Sequence, residues 1–420
     1  MSEGKNLVPK LRFPKFRGTQ PWKQISLGEA STPVTERVGE KKLTPMSISA
    51  GIGFVPQAEK FGKDISGNQY EVYTLVRDGD FVYNKGNSLK FPEGCVYILQ
   101  GWGQVAAPNV FICFRLKEGF ANGFFQNCFE ANVHGNQLKK HITSGARSNG
   151  LLNISKDAFY GVEIPTPSSA EQQKIADCLS SLDELIAAQG HKVDALKNHK
   201  NGLMQQLFPR EGETQPSLRL PEFRDAGAWM EVRLGQLGEL LTGLTYSPDD
   251  VRDSGLLVLR SSNVQDSKIS LADCVYVDPN IKGANLSIAG DILICVRNGS
   301  TSLIGKNALI PERMPNCTHG AFMTVFRAKL PRFSFQLLQT ECYQKQVAGD
   351  LGATINSING SQLVKYKFMV PKPEEQQRIA ELLSSIDDLI ADQAQELGNL
   401  KNHKKGLMQQ LFPSAEALDA

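Results

Sequence analysis

Polar and basic side chains cluster directly after an apolar run in each half of this 420-residue chain. A Gly-Asp pair opens each run, at residues 79–80 and 290–291, and a Gly-Ala loop follows later in each half, at residues 144–150 and 351–357. Asn, Lys, Arg, Ser and Thr form hydrogen bonds with base edges and phosphates, although Asn is also common in ordinary turns. The candidate binding residues are Asn84, Lys85, Asn87, Ser88, Arg147, Asn149, Arg260, Asn263, Arg297, Asn298, Ser300, Thr301 and Lys306.

No catalytic or metal-binding pattern accompanies these loops. Residues 299–307, GSTSLIGKN, depart from a phosphate-binding loop because five residues separate the glycines and Asn follows the Lys. The six histidines form no HExxH pattern, and His199 and His403 lie beside Lys in a repeated segment, where a solvated or partner-facing role is expected. The eight cysteines are scattered singly, which is typical of free thiols in a reducing cytoplasm and not of a zinc site. These features favour a binding protein without a metal over an enzyme.

The composition is that of a soluble globular protein, with 41% hydrophobic and 21% charged residues. No apolar run approaches about 18 residues, the length of a membrane span, and no apolar signal segment starts the chain. We therefore expect a cytoplasmic protein without membrane association. The net charge of +2 hides a basic excess, because residues 10–165 carry 19 basic and 13 acidic side chains and residues 216–370 carry 16 and 14. A polyanion would be attracted to these two segments.

The chain contains two copies of the same unit. Residues 171–209 align without gaps to residues 375–413, and 26 of the 39 positions are identical. Upstream of each copy, LRFPKFR followed by Trp22 matches LRLPEFR followed by Trp229. A period of about 205 residues indicates a domain duplication and not a solenoid repeat.

The repeated segments are predicted to be long helices that pair with each other. Apolar residues recur in steps of four and three in both copies, as in a heptad seam. A Ser168-x-x-Glu171 capping box starts the first helix, and Pro371 and Pro373 mark the start of the second. We expect antiparallel pairing within the chain; the alternatives are packing on the adjacent body or dimerisation of two chains. The predicted seam consists of Ile175, Leu179, Leu182, Ile186, Val193, Leu196, Leu203, Ile379, Leu383, Ile386, Ile390, Leu397, Leu400 and Leu407, with Gln and Lys at equivalent places.

Residues 30–160 and 240–365 are predicted to form mixed α/β bodies. The fold class is therefore α+β, with two such bodies joined by two long antiparallel coiled-coil helices in a pseudo-twofold duplication. Divergent bodies between nearly constant helices suit a molecule whose bodies face different targets while the same partner docks twice. β-Branched and aromatic runs predict strands at residues 70–76, 80–85, 95–100, 110–116, 255–260, 291–297 and 321–328.

The order and spacing of these motifs resemble the specificity subunits of type I restriction–modification systems. The resemblance rests on EQQKIADCLSSLDELI and EQQRIAELLSSIDDLI, on the KNHKNGLMQQLFP and KNHKKGLMQQLFP that follow them, and on GDILICVRNGS in the second body. It covers nearly the whole chain. It implies target-recognition domains at residues 1–165 and 211–370, spacer helices at 166–210 and 371–413, and a tail at 414–420.

The resemblance also implies function and partners. Each body would read one half of a bipartite, asymmetric site in double-stranded DNA, and the helices would act as a ruler between the half-sites. Two methyltransferase subunits and an ATP-dependent restriction subunit would bind this chain, which would direct methylation and restriction. S-adenosylmethionine, ATP and Mg would act on those partners, so this chain would hold no cofactor and catalyse no reaction.

Two other functions compete with this hypothesis. A duplicated coiled-coil adaptor without a DNA role accounts for the helices, but it leaves the divergence of two basic bodies unexplained. A self-contained methyltransferase or nuclease requires catalytic motifs that the sequence does not contain.

Overall fold

The computed structural model describes residues 7–86, 91–142, 152–351 and 356–413. Contacts divide the chain into two units, of which unit 1 contains residues 1–190 and 396–420 and unit 2 contains residues 191–395. Each unit therefore combines one body with parts of both repeated segments. The domain boundaries inferred from the sequence stay a prediction.

Unit 1 is built mainly from short strands. They are β1 (Lys23–Ser26), β2 (Ser31–Pro33), β3 (Met46–Ser49), β4 (Gly53–Pro56), β5 (Thr74–Arg77), β6 (Phe81–Asn84), β7 (Cys95–Ile98), β8 (Gln104–Ala107), β9 (Ile112–Leu116) and β10 (Glu163–Thr166). The helices up to the first repeated segment are α1 (Leu27–Ala30), α2 (Gln57–Phe61), α3 (Asn122–Glu130), α4 (Val133–Leu138), α5 (Lys156–Tyr160) and α6 (Ser169–Leu207), with 3₁₀ helices at Pro14–Phe16, Gly67–Val72 and Lys139–His141.

Unit 2 is also built from short strands, short helices and one long helix. Its strands are β11 (Met230–Arg233), β12 (Gly238–Thr242), β13 (Val251–Arg252), β14 (Leu256–Leu259), β15 (Val264–Gln265), β16 (Lys268–Ile269), β17 (Tyr276–Val277), β18 (Ile292–Cys295), β19 (Asn307–Leu309), β20 (Cys317–His319), β21 (Met323–Ala328) and β22 (Lys367–Val370). The helices that begin in unit 2 are α7 (Leu234–Leu237), α8 (Pro331–Leu337), α9 (Glu341–Asp350), α10 (Gly360–Leu363) and α11 (Pro373–Leu411), with 3₁₀ helices at Pro221–Phe223, Pro248–Asp250, Ser261–Asn263 and Thr301–Leu303. The part of α11 from residue 396 onward belongs to unit 1.

Both bodies contain a four-stranded antiparallel sheet with the same strand order. The order is β2-β9-β6-β7 in unit 1 and β12-β21-β18-β19 in unit 2. A two-stranded ribbon accompanies each sheet, β1-β10 in one unit and β11-β22 in the other. The duplication seen in the repeated segments therefore extends through the bodies, although their sequences differ.

The Gly-Asp pair before each central strand holds its sheet together. Both glycines have positive φ angles, 92° and 87°, which glycine adopts without steric cost. The carboxylate of Asp80 is fully buried and accepts two hydrogen bonds from Arg115, at 2.6 and 3.0 Å. Asp291 accepts the equivalent pair from Arg327, at 2.9 and 2.8 Å. These bidentate ion pairs tie each central strand to its neighbour in the sheet.

The repeated segments are continuous helices of 39 residues each, α6 and α11. Every predicted seam residue is buried or half-buried, as an amphipathic seam requires. In unit 1, the Nζ of Lys404 lies 2.7 Å from a carboxylate oxygen of Asp183, and in unit 2 Lys200 lies 2.6 Å from Asp387. A late position of one helix thus meets an early position of the other within each unit. The predicted antiparallel pairing within the chain is confirmed.

A second repeated contact joins the N-terminal motif of each unit to the first turn of its helix. Arg12 and Glu171 form a bidentate ion pair with both distances at 2.7 Å, and Arg219 and Glu375 form another at 2.8 and 2.7 Å. Both carboxylates are 1% exposed. The expected capping box is therefore only half formed: Ser168 Oγ accepts a hydrogen bond from the backbone N–H of Glu171, but the Glu171 carboxylate is held by the arginine.

The apolar cores explain the remaining repeated residues. In unit 1, Trp22 packs edge-on against Phe124 and Phe412 at centroid distances of 5.7 and 6.4 Å. In unit 2, Trp229 packs against Phe208 at 6.3 Å. Each run that was predicted to be a strand contains one. In the run at 70–76 the strand begins only at residue 74, because the first residues form a 3₁₀ helix.

Candidate nucleic-acid interface

Three predicted loops of unit 2 meet at the end of its central strand. Asn298 donates a hydrogen bond from Nδ2 to Ser261 Oγ at 3.0 Å, which joins the loop after β18 to the loop after β14. Arg297 pairs with Ser357 in an antiparallel bridge, and Asn356 Nδ2 donates to the Gly299 carbonyl at 3.3 Å. The structure therefore brings the candidates Arg297 and Asn298 together with the loops at residues 261 and 356–357.

Unit 1 makes the same backbone connection at the corresponding place. The N–H of Leu152 donates to the Lys85 carbonyl at 2.9 Å, and in unit 2 the N–H of Ile358 donates to the Val296 carbonyl at 2.8 Å. Lys85 lies at the edge of a cleft of about 500 Å³. The cleft is lined by Lys85, Asn109, Val110, Leu152, Asn153, Ile154, Ser155 and Lys156.

Some candidates are engaged inside their own body. The Asn84 amide donates to the Ile48 carbonyl at 3.0 Å and accepts from the Gly86 N–H at 2.8 Å. Asn263 is fully buried and donates to two backbone carbonyls at 2.8 and 2.9 Å. Arg260 forms an ion pair with Asp273 at 2.7 Å. These contacts shape the loops, and a DNA contact by these residues stays a prediction.

Other candidates face outward. Arg297, Ser300, Thr301 and Lys306 are exposed, and Asn298 is half-buried. Within the described ranges, no carboxylate forms an ion pair with Arg297 or Lys306. These side chains are therefore available to an anionic or hydrogen-bonding ligand. Four further candidates, Asn87, Ser88, Arg147 and Asn149, lie outside the described residues.

Two features of these surfaces escaped the sequence analysis. Phe322 precedes β21 and is 55% exposed, although an aromatic residue in a strand-like run indicates a core position. Lys139, Lys140 and His141 form an exposed basic turn directly before residues 143–151. The run of three basic residues next to the Gly-Ala loop was the available signal for the second feature, whereas the sequence contains none for the first.

The buried titratable groups belong to the cores. Desolvation by burial lowers the pKa of His134 to about 4, and the ring packs edge-on against Tyr83 and Phe129. Burial also raises the pKa of Cys95 to about 11 and that of Cys113 to about 12. These thiols therefore stay protonated near neutral pH and are poor nucleophiles.

Neither a metal-binding cluster nor a membrane-spanning helix occurs in the described ranges. These residues contain no group of three or more His, Cys, Asp or Glu side chains placed to hold a metal ion. None of the described helices combines the length and the apolar character needed to cross a membrane.

Matching sheets that present different polar loops, together with two long helices, define a duplicated, modular recognition protein. A family model described as the type I restriction modification DNA specificity domain matches residues 69–198 and 227–402, well over half of the chain. The chain therefore belongs to this family, and the family recognised from its sequence motifs is confirmed.

The curated relatives are specificity subunits. The chain is 26% identical over 285 residues to the type I restriction enzyme MjaVIII specificity subunit of Methanocaldococcus jannaschii, which covers 64% of this chain and 66% of the relative. It is 28% identical over 178 residues to the EcoKI specificity subunit of Escherichia coli K12, which covers 40% of this chain and 37% of the relative. The chain thus spans less than two thirds of the length of these relatives.

Two solved structures share the fold. The type I restriction-modification S subunit from M. genitalium superimposes with a TM-score of 0.59 at 14% identity and covers 97% of this chain and 100% of its own. A chain from a structure of complex assembly and conformational transition in the type I R-M system gives 0.55 at 18% identity and covers 94% and 98%. At these identities the likeness concerns the fold alone, and it confirms the predicted fold class.

Proposed function

We propose that this chain is the DNA-reading subunit of a type I restriction–modification complex and recognises a bipartite, asymmetric site in double-stranded DNA. Each body reads one half-site with its loop surface, and the paired helices set the spacing between the half-sites. The names of the relatives and the family membership support sequence-specific recognition.

One observation carries the proposal: the same sheet is followed by different residues in the two bodies. The strand orders and the buried Asp–Arg pairs are equivalent. The loop after the central strand contains Lys85 and Gly86 in unit 1, but Val296 and Arg297 in unit 2. A constant framework with different readout groups is what two different half-sites require.

The repeated helices support a partner that binds twice. Lys197, Asn198 and His199 are exposed in unit 2, and the identical Lys401, Asn402 and His403 are exposed in unit 1. These side chains lie outside the seam, so helix pairing does not account for their identity. We infer that two copies of one partner, the methyltransferase subunit, dock on them, and that an ATP-dependent restriction subunit joins this assembly.

The proposal assigns the chemistry to those partners. S-adenosylmethionine, ATP and Mg act there, while this chain holds no cofactor, catalyses no reaction and directs methylation and restriction. The eight cysteines are free, which is consistent with a reducing cytoplasm as the site of action.

A body exchange tests the proposal. Residues 30–160 are replaced by the corresponding body of another family member, and methylated adenines are mapped in cells that also express the methyltransferase subunit. We expect only one half of the split motif to change. Exchange of residues 240–365 is the matched control and changes only the other half. A change in both halves after either exchange contradicts the modular mechanism.

A further inference from the structure

An exposed arginine stacks on an exposed aromatic ring at the end of the two inner strands of the unit 2 sheet, β18 and β21. The guanidinium carbon of Arg297 lies 5.8 Å from the ring centroid of Phe322, and Phe322 is 55% exposed. This distance lies within the range of about 6 Å for cation–π attraction. The ring restricts where the guanidinium can lie, although both groups remain open to solvent.

The backbone around this pair is firmly held. The Phe322 carbonyl accepts hydrogen bonds from the N–H groups of Val296 and Arg297, at 3.0 and 3.1 Å. Arg297 also forms an antiparallel bridge with Ser357. The backbone positions that carry the two side chains are therefore fixed. This lowers the conformational entropy that is lost when the guanidinium binds a ligand.

Several other arginines of unit 2 form ion pairs within the protein, whereas Arg297 forms none with a described residue. Arg219, Arg260 and Arg327 each pair with a carboxylate, at 2.7, 2.7 and 2.8 Å. Among the residues that the structure describes, Arg297 has no carboxylate partner. Within that part of the chain, no carboxylate therefore occupies the planar set of N–H donors of its guanidinium. Asn298 and Ser300, which follow closely in the chain, add polar groups.

We propose that Arg297 reads a guanine through the major groove in the half-site of unit 2, and that Phe322 is the positioning residue that orients the guanidinium. This inference rests on the proposed function. A bidentate contact to O6 and N7 of guanine needs a planar fork in a defined orientation, whereas a phosphate can also be bound by the point charge of a lysine. Stacking on a fixed ring supplies that orientation.

Unit 1 lacks both members of this pair. By the register of the central strands, Gly86 corresponds to Arg297 and Val110 corresponds to Phe322. Gly86 has no side chain and Val110 has no aromatic ring. The guanine contact is therefore specific to the half-site of unit 2.

The test maps methylated adenines at base resolution for the complete complex with wild-type chain and with four variants. Arg297→Lys keeps the charge but removes the fork, and we expect it to relax discrimination at one G·C position of the unit 2 half-site by about 5- to 150-fold. Phe322→Ala relaxes the same position to a smaller degree. Phe322→Tyr restores the ring and the discrimination, and Ile288→Ala, a 53% exposed apolar residue of the same body, behaves as wild type.

Several outcomes overturn the inference. They are a unit 2 half-site without a G·C pair, a uniform loss of methylation at all positions in Arg297→Lys, or a failure of Phe322→Tyr to differ from Phe322→Ala. If wild-type chain gives a split motif and any of these results is obtained, the role of Arg297 and Phe322 is contradicted but the proposed function is not. The absence of any split motif with wild-type chain contradicts the proposed function itself. Thermal melting of all variants confirms that differences arise in folded protein.

Discussion

In unit 1, the buried Asp80 carboxylate pairs with Arg115 and supports a loop in which Gly86 carries no side chain. In unit 2, the equivalent Asp291–Arg327 pair supports a loop in which Arg297 extends over an aromatic ring. The buried carboxylates fix the sheet in both bodies through their half-exposed arginines, because a carboxylate removed from water needs a well-placed partner. The exposed loops carry no such constraint. Stabilising contacts and the proposed recognition surface therefore lie in different layers of the same body, and we expect that the layers can be changed separately.

The largest expected effect comes from breaking the buried pair between the N-terminal motif and the helix. Glu171→Ala leaves the Arg12 guanidinium 7% exposed without its carboxylate. We expect the free energy of unfolding of unit 1 to fall by about 3–5 kcal/mol. Denaturant unfolding in a Trp229→Phe background measures this, because Trp22 is then the buried reporter in unit 1.

The control for this prediction is Gln173→Ala, which changes an exposed residue of the same helix turn. We expect it to leave the free energy of unfolding unchanged within about 0.5 kcal/mol. A loss below about 1 kcal/mol in Glu171→Ala contradicts a stabilising role for the buried pair.

The next largest expected effect is a pH dependence that arises in unit 1. The pKa of His134 is about 4 in the folded protein and 6.5 in the unfolded chain. Between these values the unfolded chain binds a proton that the folded state does not. The free energy of unfolding is therefore not reduced by His134 above pH 6.5, and it falls by up to about 3 kcal/mol as the pH drops towards 4. His134→Gln removes this slope in denaturant unfolding, whereas exposed His141→Gln retains it; equal slopes in both variants contradict the assignment.

The smallest expected loss in the free energy of unfolding follows from removing a carboxylate partner of either lysine in the helix seam. Asp387→Asn leaves Lys200 without its carboxylate, and we expect a loss of about 1 kcal/mol in unit 2. Asp183→Asn costs less in unit 1, because Lys404 keeps a second carboxylate, Glu130, at 2.9 Å. Chemical denaturation of the two variants gives the order, and a larger loss in Asp183→Asn contradicts it.

The regular parts of the molecule were predictable because they depend on local periodicity. The steps of four and three from Ile175 onward place every seam residue on the inner face of a helix, and both helices form as expected. Strand β18 was visible as an apolar run after a Gly-Asp pair. These signals need only near neighbours in the chain.

Contacts between distant segments were not predictable. Arg12 and Glu171 are 159 residues apart, and nothing in either motif specifies the other as its partner. The backbone of Phe322 is held by hydrogen bonds from the loop after β18, while its ring is 55% exposed, and its local sequence indicates neither. The Asn84 amide is occupied for the same reason, since its acceptor, the Ile48 carbonyl, is 36 residues away in the chain.

The most direct test of the central claim is a base-resolution map of methylated adenines in cells that express this chain with its methyltransferase subunit, compared with cells that lack this chain. The proposed function predicts a split motif with a fixed gap that appears only when the chain is present. A stable complex with the methyltransferase that produces no new modified sites, or sites that do not depend on this chain, contradicts the claim that it reads the DNA.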